Sequence, residues 1–114
     1  MTIEERKLLT DIEEAILSID HHLESRRIFE EYMNNKTKRR AVERELEIIG
    51  EAVSKLLKIN PDIPITHGRV IVDLRNRVIH AYDSVDNIII WKIIMKDIPV
   101  LLTEVQNLRS QNIQ

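Results

Sequence analysis

The sequence contains no cysteine, which excludes a disulfide scaffold, thiolate metal sites and a cysteine nucleophile. Glycine is almost as scarce. Gly50 and Gly68 are the only two, and they stand too far apart to form either glycine-rich loop that cradles phosphates. Three prolines leave little turn chemistry. Four aromatic residues, Phe29, Tyr32, Tyr82 and Trp91, leave little material for a ring-stacking surface. No long apolar run is present: the longest, Ile88-Ile89-Ile90-Trp91, is far short of a membrane span. The charged start Met1-Thr2-Ile3-Glu4-Glu5-Arg6 lacks the apolar stretch of a signal peptide. The expectation is therefore a soluble protein of a reducing cytoplasm. Neither sign of charge dominates, with 17 Lys and Arg against 19 Asp and Glu, so any nucleic-acid footprint must be local.

What remains is the composition of a helical bundle. The 114 residues suffice for one core and would be thin for two, so residues 1–114 read as a single domain. Leu8, Leu9, Ile12, Ala15, Ile16 and Ile19 recur at helical spacing, predicting a first helix from about Thr2 to Ile19. Thr2 followed by Glu5 reads as its capping box. Ser25 is placed to cap a short second helix carrying Phe29, Tyr32 and Met33, closed by Asn34-Asn35. Val42, Leu46, Ile49, Val53, Leu56 and Leu57 mark a third helix over about 37–57, with Gly50 inside it. Asn60-Pro61-Asp62-Ile63-Pro64 is a loop, because each proline biases the residue before it away from helix. Thr66 is placed to cap a fourth helix, with Val70, Ile71, Leu74 and Val78 on its buried side, ending near Tyr82. A fifth begins near Val85 or Asp86, with Ile90, Trp91, Ile94, Met95, Ile98, Leu101, Leu102, Val105 and Leu108 on one broad face and Pro99 opposite. Ile88, Ile89 and Ile93 lie off that stripe, more apolar surface than one bundle face needs, and this supplies a reason to dimerise.

The densest chemistry is Arg75-Asn76-Arg77-Val78-Ile79-His80-Ala81-Tyr82. Arginine offers a fixed cationic fork suited to phosphate oxygens, and histidine moves a proton near neutral pH. Together they can cleave RNA without a metal, since RNA supplies its own 2′-hydroxyl nucleophile. Positions 75 and 80 are about 140° apart around a regular helix, while positions 76 and 80 share a face. The pair closes only if the helix loosens at His80, or if a second subunit brings its own Arg and His across a two-fold axis.

The segment resembles the signature of the HEPN superfamily, an arginine followed by a polar residue, a short spacer and a histidine. The tyrosine two residues on is the form seen in HepT-like toxins. Further matches are Arg44 to Ala52, ending in Ile-Gly-Glu-Ala, the loop Pro61 to Pro64, and Ile90-Trp91 with Asp97-Ile98-Pro99. The resemblance spans about residues 4–106. It implies an all-α, HEPN-type antiparallel bundle of about five helices, dimeric, acting as a metal-independent endoribonuclease toxin of a type VII-like toxin–antitoxin pair. It implies that Arg75 and His80 are the catalytic pair, that Asn76 orients His80, and that no cofactor or metal is required. It implies a homodimer with an RNA substrate, and an MntA-like nucleotidyltransferase antitoxin that inactivates the toxin by transferring AMP to Tyr82. The alternative is a non-enzymatic HEPN subunit that binds such a transferase and its nucleotide.

Other features rank lower. Lys36, Lys38, Arg39, Arg40 and Arg44 form a basic face that suits RNA or an acidic partner but reads first as a solvated surface. Glu47 and Glu51 are placed to meet Arg75 or Arg77, or simply to pair locally along their own helix. His21-His22 lacks further metal ligands, and His67 reads as a surface residue. Tyr32 has no Arg or His around it.

Overall fold

The first helix, α1 (Ile3–His22), starts as its sequence dictates. Thr2 accepts the Glu5 backbone N–H at 3.1 Å, and the Glu5 carboxylate accepts the Thr2 N–H at 3.3 Å, closing the capping box. The helix runs to His22, and Glu24 and Ser25 then take φ of 56°, turning the chain. The Ser25 hydroxyl donates to Asp20 at 2.9 Å. Ser25 is thus spent on the turn, and the short α2 (Phe29–Met33) begins at Ile28 with no side-chain cap. The long α3 (Lys36–Ile59) is capped instead by Asn35, which accepts the Lys38 N–H at 3.0 Å. A loop leads to α4 (Gly68–His80), and α5 (Asn87–Gln111) closes the bundle. The computed structural model describes residues 1–80 and 87–111, with Arg75–His80 as helical backbone alone. Among the described residues there is no strand, and no helix is long and apolar enough to cross a membrane. The architecture is the all-α bundle of five helices that the sequence implied.

The core forms where the apolar stripes meet. All six stripe residues of α1 are buried, as are Val42, Leu46, Ile49, Val53 and Leu56 of α3. These two helices run antiparallel: His22 meets Glu45 at 3.0 Å near one end, and Leu8 and Asp11 share a shallow groove with Ala52 and Lys55 towards the other. Fully burying each such Leu, Ile or Val side chain contributes about 1.5–3 kcal/mol, so the α1–α3 seam is a main source of stability. α5 lies against α1, buried through Ile90, Ile93, Ile94, Ile98, Leu101, Val105 and Leu108. Its buried face is rotated from the expected one: Ile93 is buried while Met95 is 43% exposed. The rotation has a polar cause. Asp97 lies on the buried side, where it meets His67 from the start of α4. α5 passes unbroken through Pro99, which is exposed as expected.

Three of the four aromatic residues form one cluster. Trp91 packs against Phe29 at 5.8 Å and Tyr32 at 5.3 Å between ring centres. The sparse aromatics thus fasten the short α2 onto the beginning of α5.

Candidate active site

The fourth helix carries the Arg75–His80 segment, and its position is set mainly at its other end. In the preceding loop, Asn60 accepts the Asp62 N–H at 3.3 Å, and Ile63 and Ile65 are buried as apolar pins. Gly68 then lets α4 approach α3 closely. A Cβ at that position would lie 2.9 Å from both the Val53 and the Ile65 methyl groups. Both are β-branched side chains with little rotamer freedom to retreat. Thr66 stands one residue too early to cap α4. Its N–H and hydroxyl donate instead to Glu104 of α5, at 3.0 and 2.9 Å. His67 is not a free surface residue either: its Nδ1 lies 2.5 Å from the Asp97 carboxylate. Because a carboxylate only accepts, Nδ1 carries the proton.

From this anchored base α4 runs back along α3, buried through Ile71 and Leu74, and remains helical through His80. That regularity matters for the chemistry. A regular helix puts positions 75 and 80 about 140° apart, and positions 76 and 80 about 40° apart. The described backbone thus shows no loosening before His80 that would bring Arg75 and His80 together within one chain. Arg75, Asn76 and His80 share the far half of α4, and Tyr82 lies outside the described residues. α4 and α5 leave a groove of about 190 Å³ between them, lined by Val70, Asp73, Leu74, Ile89 and Ile93. Val70, expected in the core, is 42% exposed beside it, and Ile88 and Ile89 are 55% and 37% exposed. An apolar strip therefore flanks the segment.

The remaining candidates resolve into local structure. Arg40 pairs with Glu43 at 3.0 Å, Arg44 pairs with Glu47 at 3.1 Å, and the Arg39 guanidinium donates to the Met33 carbonyl. Much of the basic face is thus already compensated, which is the solvated-surface reading. Glu51 pairs with Lys55 at 3.2 Å, so Glu47 and Glu51 each have a local partner. His22 is held by Glu45, and no group of three metal-ligating side chains occurs among the described residues. Tyr32 is fully buried, with no hydrogen-bond partner for its hydroxyl among the described residues. Burial pushes that hydroxyl well above its ordinary pKa, and the Glu43 charge adds to the effect. A neutral, enclosed phenol is a poor nucleophile.

Sequence reasoning overlooked the Thr66–Glu104 and His67–Asp97 pairs. A signal was present, since an aspartate on the apolar stripe of a helix requires a partner.

Comparison with known proteins agrees over most of the chain. The family model described as Ribonuclease HepT-like matches residues 12–108. A protein of Thermococcus cleftensis named "Probable ribonuclease HepT" is 38% identical over 107 residues, covering 90% of this chain and 93% of that protein. A protein of Methanocaldococcus jannaschii named "Putative RNase MJ1380" is 43% identical over 83 residues, covering 68% and 72%. One of Caldanaerobacter subterraneus named "Putative RNase TTE0752" is 38% identical over 84 residues, covering 70% and 72%. No solved structure matches.

Proposed function

The chain belongs to the HepT-like ribonuclease family, and from that premise we propose that it is an endoribonuclease toxin whose site is built from Arg75, Asn76 and His80. In this reading residues 1–114 are one HEPN domain that acts in the cytoplasm as a homodimer. His80 accepts the proton of an RNA 2′-hydroxyl, and the 2′-oxygen attacks the adjacent phosphorus. Arg75 stabilises the charge gathering on the phosphoryl oxygens. The bond to the 5′-oxygen breaks, and that oxygen takes the proton back from His80, leaving a 2′,3′-cyclic phosphate and a 5′-hydroxyl end. The Asn76 amide orients the imidazole from one helical turn away. The atoms balance with no metal and no protein nucleophile.

The observation that carries this reading is the helicity of α4 through His80. With Arg75 and His80 on different faces of one chain, a working pair takes Arg75 from one subunit and His80 from the other. The apolar strip of Val70, Ile88 and Ile89 beside the segment supports such a two-fold contact. Regulation would fall on Tyr82, with an MntA-like nucleotidyltransferase as the antitoxin. The Tyr82 oxygen attacks the α-phosphorus of ATP, pyrophosphate leaves, and the phenolic proton passes to solvent. The added phosphodiester, two residues from His80, competes with RNA for Arg75. The burial of Tyr32 supports Tyr82 as the acceptor.

The test is cleavage of a defined RNA, with the product ends identified by mass. Wild-type protein should give 2′,3′-cyclic phosphate ends in the presence of a chelator, and His80→Ala should give none while keeping its helical circular dichroism. Cleavage by His80→Ala would overturn the assignment.

A further inference from the structure

The anchoring of α4 is unusual in its chemistry. Against α3 the helix is held by apolar burial and the close approach at Gly68. Against α5 the packing opens into the groove between Leu74 and Ile93. Two adjacent residues just before α4 are instead gripped by two carboxylates of α5. Thr66 gives two hydrogen bonds to Glu104, and His67 gives one of 2.5 Å to Asp97. Asp97 and Glu104 are seven residues apart, two helical turns, so both emerge from one face of α5. Asp97 is 8% exposed, and the second oxygen of Glu104 is buried without a hydrogen-bond partner among the described residues. Burying a carboxylate such as Asp97 is costly unless it is well paired. Apolar side chains would seal the same seam with less desolvation.

We propose that Thr66–Glu104 and His67–Asp97 form a two-point clamp that fixes the direction in which α4 projects from α5, making His67 and Asp97 positioning residues for RNA cleavage. Hydrogen bonds set angle and register where apolar contacts tolerate sliding. The lever is long: thirteen residues separate His67 from His80, about 20 Å at the helical rise. A tilt of about 5° at the base therefore displaces His80 by roughly 2 Å, and a displacement of about 1 Å costs on the order of 10²-fold in rate. The clamp lies at the opposite end of α4 from His80. Its influence runs entirely through the placement of Arg75, Asn76 and His80, so this proposal rests on the functional reading above.

The experiment compares His67→Val, which removes the donor, with His67→Asn, whose amide nitrogen occupies nearly the position of Nδ1. Each folded variant is measured for kcat and KM on RNA and for amide hydrogen exchange along α4, with wild type and His80→Ala alongside. Val should lower kcat at least tenfold with KM little changed and speed exchange in 68–80, leaving α1 and α3 protected, whereas Asn should restore most of both. A folded Val variant with wild-type kcat and wild-type exchange would overturn the clamp, as would failure of folded Asn to recover either. If His67→Val does not fold, exposed Thr66 supplies the same contrast. Ser keeps the hydroxyl and Val removes it, and equal kcat and equal exchange in the two would be fatal. Should wild type itself fail to cleave RNA, the functional reading falls, and hydrogen exchange alone still decides whether the clamp orders α4.

Discussion

The α1–α3 half and the α4–α5 half of this bundle are built on different principles. Between α1 and α3 the stripes are continuous, the helix starts are capped, and the apolar stripe residues are buried, with only Leu57 partly exposed. Between α4 and α5 there is a groove, a polar clamp at one end, and exposed isoleucines and valine. The first half has the makings of stability and the second those of a site. A surface that must admit a substrate or a second subunit cannot be sealed by its own core, and its geometry has to be set by directional contacts.

That contrast can be broken most forcefully in the second half. His80→Ala should abolish detectable RNA cleavage, a loss beyond the roughly 10²-fold of a missing general acid–base group, with an unchanged melting temperature. A parallel loss of stability would show that the motif end is structural. In the first half the reverse holds. Leu46→Ala, at a fully buried position, should cost about 2–5 kcal/mol in denaturant unfolding. Ile89→Ala, on the exposed strip, should change the stability of the isolated chain by no more than about 0.5 kcal/mol.

At the seam between the halves, Gly68→Ala forces a methyl group to within 2.9 Å of Val53 and Ile65. Overpacking of this kind should destabilise by about 1–3 kcal/mol in thermal or denaturant melts. The helix starts give smaller effects. Asn35→Ala removes the cap of α3 and should cost about 1 kcal/mol. The smallest effect is a pH dependence. Hydrogen bonds from the Thr2 backbone and hydroxyl hold the Glu5 carboxyl below its ordinary 4.5. A lowered folded-state pKa stabilises above the unfolded value and is lost as pH falls through the folded one. Melting curves should therefore show a small acid-side loss beginning near pH 4.5 that Glu5→Gln abolishes.

The two halves were also unequally legible in the sequence. The stripes of α1 and α3 could be read residue by residue, because a helix buried on one face by apolar neighbours obeys its own period. The capping box at Thr2 and Glu5 could be read for the same local reason. Legibility failed where partners come from afar. Ser25 looked like a cap but is drawn into a left-handed turn by Asp20, and Thr66 looked like a cap but belongs to Glu104, 38 residues away. The buried face of α5 departs from its apolar stripe at Ile93 and Met95 because Asp97, polar by type, is buried by its histidine. At the site, the residue types were plain from the spacing of Arg75, Asn76, His80 and Tyr82. Assigning them as one site rests on resemblance, since no local pattern tells a helix which neighbour completes its chemistry.

Subunit mixing tests directly whether a working pair takes its arginine and its histidine from different subunits. Arg75→Ala and His80→Ala are each expected to be inactive alone. Unfolded together and refolded as an equal mixture, they should form heterodimers in which one cleft holds an intact Arg75 from one chain and an intact His80 from the other. RNA cleavage should return at roughly a quarter of the wild-type rate, because about half of the dimers are mixed and each has one of two possible pairs. Heterodimers that form, as verified by native mass, but cleave no RNA would contradict a pair shared between subunits.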